Sequence, residues 1–320
     1  MSSATTTNNY GVDRNYRLGY VQIWNLDVQR ELTRTLVLNL DYNGSKGTHL
    51  DLFRAPNRTP SGGLSIAGVQ PFLWESSNAD SIMHGGTVRL RKRMSHGLSV
   101  GGSYTYSKSI DNASSIGGGA VVVAQNDQDL AAERGLSSFD QRHRLTADYV
   151  YEFPWGTNKR WLSTTTLASR IFGDWQWSGN IAFASGLPFT ARVLGSFTDV
   201  ASGVNGTLRA NATGQPVSLS DPTVEAWFNT AAFVVPPAGT FGDAGRNTIE
   251  GPHTFSVNMA IAKTLTMGDT KGLEVRLQAT NVFNNPQFTS IDTVVDSPTF
   301  GRVVGVGGMR KLQFLARYRF

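Results

Sequence analysis

Much of the chain is built from stretches in which apolar and polar residues take turns, the period that sends successive side chains to opposite faces of a β-strand. Leu36, Leu38, Leu40 and Tyr42 share one face, against Val37, Asn39, Asp41 and Asn43. The alternation returns at Leu98, Val100, Gly102, Tyr104 and Tyr106, at Leu145, Ala147, Tyr149, Tyr151 and Phe153, and at Trp175, Trp177, Gly179, Ile181 and Phe183. Phe255, Val257, Met259 and Ile261 follow, then Leu273, Val275, Leu277 and Ala279. Soluble sandwiches alternate too, so the pattern alone does not define a membrane protein. Two features favour a bilayer. The segments reach about ten residues, the length a tilted strand needs to cross hydrocarbon, against about five or six in soluble sheets. Aromatics also crowd the strand ends, where an interfacial girdle sits: Tyr104 and Tyr106, then Tyr149, Tyr151, Phe153 and Trp155, then Trp175 and Trp177.

The last segment places Leu312, Phe314, Ala316, Tyr318 and Phe320 on one face and Lys311, Gln313, Leu315, Arg317 and Arg319 on the other. Three aromatics beside three cations suit lipid outside and water inside. Alternating apolar residues closing on an aromatic resemble the C-terminal assembly signal of outer-membrane barrel proteins, carried here by Leu312, Phe314, Tyr318 and Phe320. The connections fall into two classes that alternate along the chain. Short ones lie near Arg30–Arg34, Met94–Gly97 and Met267–Gly272; long ones span Leu50–Ser81, Ile110–Gln141, Gly186–Pro252 and Asn284–Gly308. Barrels of the outer membrane have short periplasmic turns and long external loops. The intermediate Pro154–Gly173 connection then faces the periplasm, with Trp155, Trp161 and Ile171 at the membrane surface. Parity counted back from an inward-running last strand gives about nine strands, the first beginning near Leu18 and also running inward. A complete single-chain bacterial barrel has an even number, so the expectation is an all-β, antiparallel transmembrane barrel of which residues 1–320 form the C-terminal portion, without a plug domain.

Composition sharpens this picture. The 320 residues include 34 glycines, 10% aromatics and only 17% charged residues, and the mean hydropathy of −0.22 excludes a hydrophobic helical bundle. No apolar run approaches the roughly 18 residues of a membrane helix. The stretch Met1–Asn9 has neither the basic nor the apolar region of a secretory leader. Cysteine is absent, which excludes disulfides, thiolate metal sites and cysteine nucleophiles. The five histidines, His49, His84, His96, His143 and His253, form no metal-binding spacing and are expected at solvent-facing or turn positions. The net charge of +5 is dispersed apart from Arg89, Arg91, Lys92 and Arg93, too narrow a stripe for nucleic acid.

Catalytic patterns lack their context. Gly97-Leu98-Ser99-Val100-Gly101 matches the nucleophile elbow, yet alternation continues through it, where an elbow needs a sharp turn into a helix. Gly117-Gly118-Gly119 and Gly305-Val306-Gly307-Gly308 have no strand-to-helix frame for a phosphate. The acidic stretch Asp127 to Glu133 reads as solvated loop in preference to a calcium site. Arg246-Asn247 is expected to pin a long loop at the barrel mouth. No catalytic, cofactor or metal site is expected. The competing readings are a small stand-alone barrel, porin-like or enzymatic, and a secreted sandwich binding glycans through Trp74 and Trp227.

With the strands placed, the segments between them resemble the Oar-like group of TonB-dependent outer-membrane receptors. The resemblance rests on Glu133-Arg134-Gly135-Leu136-Ser137-Ser138-Phe139-Asp140-Gln141-Arg142-His143-Arg144, leading into a strand that ends Tyr151-Glu152-Phe153-Pro154-Trp155-Gly156. It rests also on Ser185-Gly186-Leu187-Pro188-Phe189-Thr190, on Gly239 to Asn247 followed by Gly251-Pro252, and on Asn281-Val282-Phe283-Asn284. It implies a barrel of roughly 22 strands around an N-terminal plug, energised through TonB. The implied partners are outer-membrane lipid, the barrel assembly machinery, the TonB system acting through a plug, and a bulky transported ligand. The plug, the TonB box and the first half of the barrel have no counterpart in this sequence.

Overall fold

A computed structural model describes residues 9–59, 64–69, 72–114, 123–156, 159–164, 166–193, 208–267 and 271–320. Gly117-Gly118-Gly119, residues 1–8 and the centre of the 267–272 turn lie outside them. Nine long strands carry the architecture among the described residues: β1 (Tyr20–Thr33), β2 (Leu36–Arg54), β3 (Phe72–Ser95), β4 (Leu98–Asp111), β5 (His143–Glu152), β6 (Trp175–Ala184), β7 (Thr254–Met267), β8 (Lys271–Thr280) and β9 (Lys311–Arg319). Each pairs antiparallel with its neighbours in chain order, from β1 at one edge to β9 at the other. One continuous meander replaces the two facing sheets of a sandwich. Among the described residues no pairing joins β1 to β9, and every residue of both strands is exposed.

Register decides which residues share a face, because directly paired residues lie on the same side. Val28 pairs with Leu40, Leu40 with Val88, Val88 with Tyr104, Tyr104 with Leu145, Leu145 with Phe183, and Phe183 with Phe255. Nearer the short turns the rank runs Leu98, Tyr151, Trp177, Ile261, Leu277, Phe314. The alternate face carries Gln29, Asn39, Arg89, Ser103 and Thr146 in one rank and Asp148, Asn180 and Asn258 in another. The apolar face is the lipid face and the polar face lines water, which is the only distribution a bilayer permits for strands of this kind.

The β2–β3 hairpin is taller than the periodicity indicates. Its strands have 19 and 24 residues, so β2 alone runs about 60 Å at about 3.3 Å per residue, well beyond a hydrocarbon core of about 30 Å. Both ends of the Leu50–Ser81 stretch expected as loop, up to Arg54 and from Phe72, are therefore strand. Pairing resumes past bulges near Gly47 and Leu50, and Leu52 and Ser76 are buried there, Ser76 Oγ donating to Leu52 O at 3.2 Å. The alternation fades because that part of the hairpin has packed loop, not lipid, against it. The short Asn9–Val12 strand adds in parallel to Phe72–Glu75.

The face assignment has a direct test. Leu90 sits midway on the lipid face, paired with Leu38 and Gly102, and Ser103 is its neighbour on the lumen face of β4. Leu90→Arg should cost about 2–4 kcal/mol in unfolding from vesicles by urea. Ser103→Arg should leave the midpoint nearly unchanged, and equal effects would reverse the assignment.

Candidate functional site

The strands end at different heights, and the connections above the lower ones form a packed cap. A core of Ala191, Phe228, Phe233, Ala244, Ile249 and Ile291 unites the 186–252 and 284–308 connections. Phe228 meets Phe233 and Phe300 edge-on, with ring centroids 6.1 and 5.2 Å apart. Within the second connection, Phe288–Ile291 pairs with Val303–Val306, so this expected loop is itself a small hairpin. The close passage of Gly186 against Gly251 seals the base of the cap: a Cβ on Gly186 would lie 1.8 Å from Gly251 O.

Charged side chains fasten the cap to the wall. Arg246 is fully buried; its guanidinium pairs with the Asp111 carboxylate at the top of β4 and donates to Asp111 O and Ser114 O at 2.7 Å each. Asn247, with φ of 58°, donates its amide to Thr190 Oγ1 at 2.8 Å and its side chain to Leu136 O at 2.6 Å. Asp140 Oδ1 accepts from Ser109 N at 2.6 Å, and Ser109 shares a hydroxyl bond with Ser137. These contacts place Arg246-Asn247 at the junction of loop and mouth.

A second set was not legible beforehand. Gln125 Nε2 donates to Gly242 O at 2.8 Å, and its Oε1 accepts from Arg209 N at 2.6 Å. Glu133 accepts from Gln125 N and faces Arg209 at 3.5 Å, both side chains being buried. Arg54, from the tall hairpin, pairs with Asp127 at 2.6 Å. Arg58 donates to Ala124 O and Gln125 O and stacks 5.5 Å from the Phe241 centroid. Burial lowers the Arg58 pKa to about 10, against the raising influence of Glu133 and Asp127, so it stays charged at neutral pH. Burial also lowers that of Arg209, with Glu133 opposing the shift. Asp127 and Glu133, at the two ends of the stretch expected as solvated loop, are therefore the acidic half of an ionic network, while Gln128, Asp129, Ala131 and Ala132 between them are exposed as expected. The arginines of the network are dozens of residues away in sequence, which is why composition gave no hint of it.

The remaining candidates take ordinary structural places. Ser99 continues β4 after a turn in which Gly97 has φ of 78°, and its hydroxyl donates to Lys92 O at 3.2 Å, so no elbow forms. Trp227 packs on the cap core with Nε1 bonded to Glu250 O at 3.0 Å, and Trp74 belongs to β3. Neither is a free platform for a sugar. His96 occupies a turn with positive φ, as expected, whereas His49, also at positive φ, sits in the bulged part of β2; His84, which is exposed, and His143 lie on strands, bonded to Tyr42 Oη at 2.8 Å and Tyr104 Oη at 2.7 Å. Tyr104 and Tyr106 lie toward the external end of β4. Tyr149, Tyr151, Trp175 and Trp177 lie toward the short-turn end of β5 and β6, with Phe153 and Trp155 just beyond β5. Leu312, Phe314 and Tyr318 share the lipid face of β9, and Phe320 follows it.

A cleft of about 290 Å³ opens between the cap and the top of β5, lined by Asp140, Arg142, His143, Ser185, Thr248 and Glu250. That is at the lower limit of small-molecule pockets. It does not enclose a bulky ligand.

A lipid-facing antiparallel wall with a polar inner face and a braced external cap defines a transmembrane β-barrel protein. Consistent with this, the sequence model of the family described as outer membrane beta barrel domain matches residues 1–313. The chain belongs to that family and resides in the cell outer membrane. Comparison with curated proteins gives no match. Among solved structures, the chain is similar to the outer membrane transporter YddB from Escherichia coli, at 10% identity and a TM-score of 0.49, over 96% of this chain and 33% of that one. It is also similar to P. aeruginosa FpvA, solved with bound pyoverdines, at 11% identity and a TM-score of 0.50, over 94% of this chain and 27% of that one. The chain thus spans about a third or less of the length of these two proteins, and the likeness to FpvA is one of fold.

Two predictions test the cap. Arg246→Ala leaves the Asp111 carboxylate buried without its cation and should destabilise the cap by about 3–5 kcal/mol. Limited proteolysis should nick residues 208–252 while strand circular dichroism persists, and adding Asp111→Asn should restore part of the resistance. Asp292, in the 284–308 connection, titrates below its ordinary value of 3.8: desolvation pushes it up, but Ser297 and Thr299 hydroxyls, the Val294 amide and the Arg192 charge outweigh that. A depressed folded pKa adds stability that is complete above 3.8 and is lost as pH falls through the folded value. Hydrogen exchange across 288–306, corrected for intrinsic rates, should stay protected down to the ordinary carboxylate range and rise below it, whereas Asp292→Asn should exchange faster at neutral pH and lose this pH dependence.

Proposed function

We propose that this chain forms the C-terminal portion of the barrel of a TonB-dependent outer-membrane transporter, contributing wall and external cap to the passage of a bulky ligand. The observation that carries the reading is the pair of open edges. β1 and β9 run in the same direction, so closing the nine strands on themselves would demand a parallel pairing in an otherwise antiparallel sheet. Lipid cannot satisfy the backbone groups such edges expose. An odd number of further strands, supplied by other polypeptide, restores antiparallel closure, as in the large plugged transporter barrels of about 22 strands. Fold likeness to FpvA, and the Oar-like segments of the sequence, support the same assignment. On this reading Leu312, Phe314, Tyr318 and Phe320 present the last strand to the assembly machinery. Tyr104 and Tyr106 form the outer girdle, and Tyr149, Tyr151, Phe153, Trp155, Trp175 and Trp177 the inner one. TonB acts through a plug carried elsewhere, and no chemistry is performed on the ligand.

Expression behind an added leader, with membrane fractionation and gel mobility before and after boiling, tests the reading. The expected outcome is outer-membrane recovery or aggregation without a heat-dependent shift. A compact band that shifts on boiling would mean that these strands close alone, and the stand-alone barrel would replace the transporter portion.

A further inference from the structure

The connection between β5 and β6 carries a short helix whose apolar side is exposed. Helix α1 (Leu167–Phe172) begins with a capping box: Thr166 Oγ1 accepts from Ser169 N at 3.1 Å, and Thr166 N donates to Ser169 Oγ at 2.9 Å. At 3.6 residues per turn, Leu167, Ala168, Ile171 and Phe172 fill one continuous arc and Ser169 lies opposite. The apolar arc faces away from the protein. Leu167 is 75% exposed and Phe172 60%, while Ser169 is buried. A helix resting on a soluble protein does the reverse, hiding its apolar stripe. Exposed Trp161 and Leu162 extend the patch.

The side of the wall on which α1 sits is fixed by two contacts. Trp175 pairs with Lys263 and Lys263 with Val275, so both belong to the lipid-facing rank that continues to Ala316. The Lys263 ammonium donates to Gly173 O at the C-terminal cap of α1 and lies 5.3 Å from the Trp175 ring centroid. Trp175 Nε1 donates to Ile171 O at 3.1 Å. The helix is therefore tethered to the outside of the wall at its periplasmic end, next to the lipid belt, and does not lie beneath the lumen. Cations accompany it: Arg160 lies 5.4 Å from the Trp161 ring centroid, and neither Arg160 nor Arg170 enters a described ion pair.

We propose that this connection is a membrane-surface anchor, with α1 lying in the interface of the periplasmic leaflet. Leu167, Ile171, Phe172 and Trp161 rest among acyl chains, and Arg160 and Arg170 meet the phosphates of anionic phospholipids. Continuity with the lipid-facing strands and the paired cations select this occupant. The inference rests on the outer-membrane barrel assignment.

The chain has no cysteine, so single nitroxide labels can be placed by Ile171→Cys, Arg170→Cys, Val88→Cys and Ser103→Cys in the full chain. Each variant is reconstituted in phosphatidylethanolamine vesicles with phosphatidylglycerol, and collision rates with oxygen and with a water-soluble nickel chelate are compared. The label at 171 should give an oxygen-to-nickel ratio several-fold above that at 170 and approaching that at 88, and the ratio should fall when phosphatidylglycerol is omitted. A ratio at 171 equal to that at 170, while 88 reports lipid and 103 reports water, overturns the anchor and leaves the barrel intact. Shielding of 171 from both reagents, as by a protein partner or a second copy, overturns it equally. Indifference to phosphatidylglycerol overturns the phosphate contacts. A water-like label at 88 overturns the lipid-face assignment and the anchor with it.

Discussion

Backbone hydrogen bonding in a medium without water governs this structure. Each peptide group in the hydrocarbon layer needs a partner within the protein, and a meander of antiparallel strands supplies one to every strand that has two neighbours. Among the described residues, seven of the nine long strands meet that requirement, and β1 and β9 do not. The side-chain pattern follows from the same solvent. Ranks such as Leu98, Tyr151, Trp177, Ile261 and Leu277 are apolar because they meet lipid, and Asp148, Asn180 and Asn258 are polar because they do not.

Above the membrane the rules change. Water is available, strands no longer need pairs on both sides, and the chain spends its residues on a packed cap. Phe228, Ile249 and Ile291 give it a core of its own. Buried arginines orient that core, each carrying its cost of desolvation and each compensated by carboxylate or carbonyl oxygens from another connection. Removing one partner of such a buried pair is far more damaging than never having had the pair.

The sequence disclosed the membrane wall because a period of two is local: Leu98 to Tyr106 and Leu145 to Phe153 announce themselves within ten residues of chain. It disclosed the alternation of short and long connections for the same reason. What it concealed was long-range. Glu133 looked like a solvated acid because Arg209 lies far along the chain, and only folding brings the two together. The upper part of the β2–β3 hairpin passed for loop because strands that are not half in lipid need not alternate. The partners of His84 and His143 could not be named because the tyrosines that receive them come from neighbouring strands. Arg246 was singled out as a loop pin from its setting, but its carboxylate partner, Asp111, could not be named without coordinates.

The tall hairpin matters for how the mouth can move. Through Arg54 and Arg58 it holds the cap from the side, while Asp111 of β4 holds it from below through Arg246. A flap swings when it is attached along one line. A plate supported along two intersecting lines behaves as a bracketed awning, and it can rotate only after one set of brackets lets go. The cap on this stretch of the wall is thus a fixed frame, held from two sides.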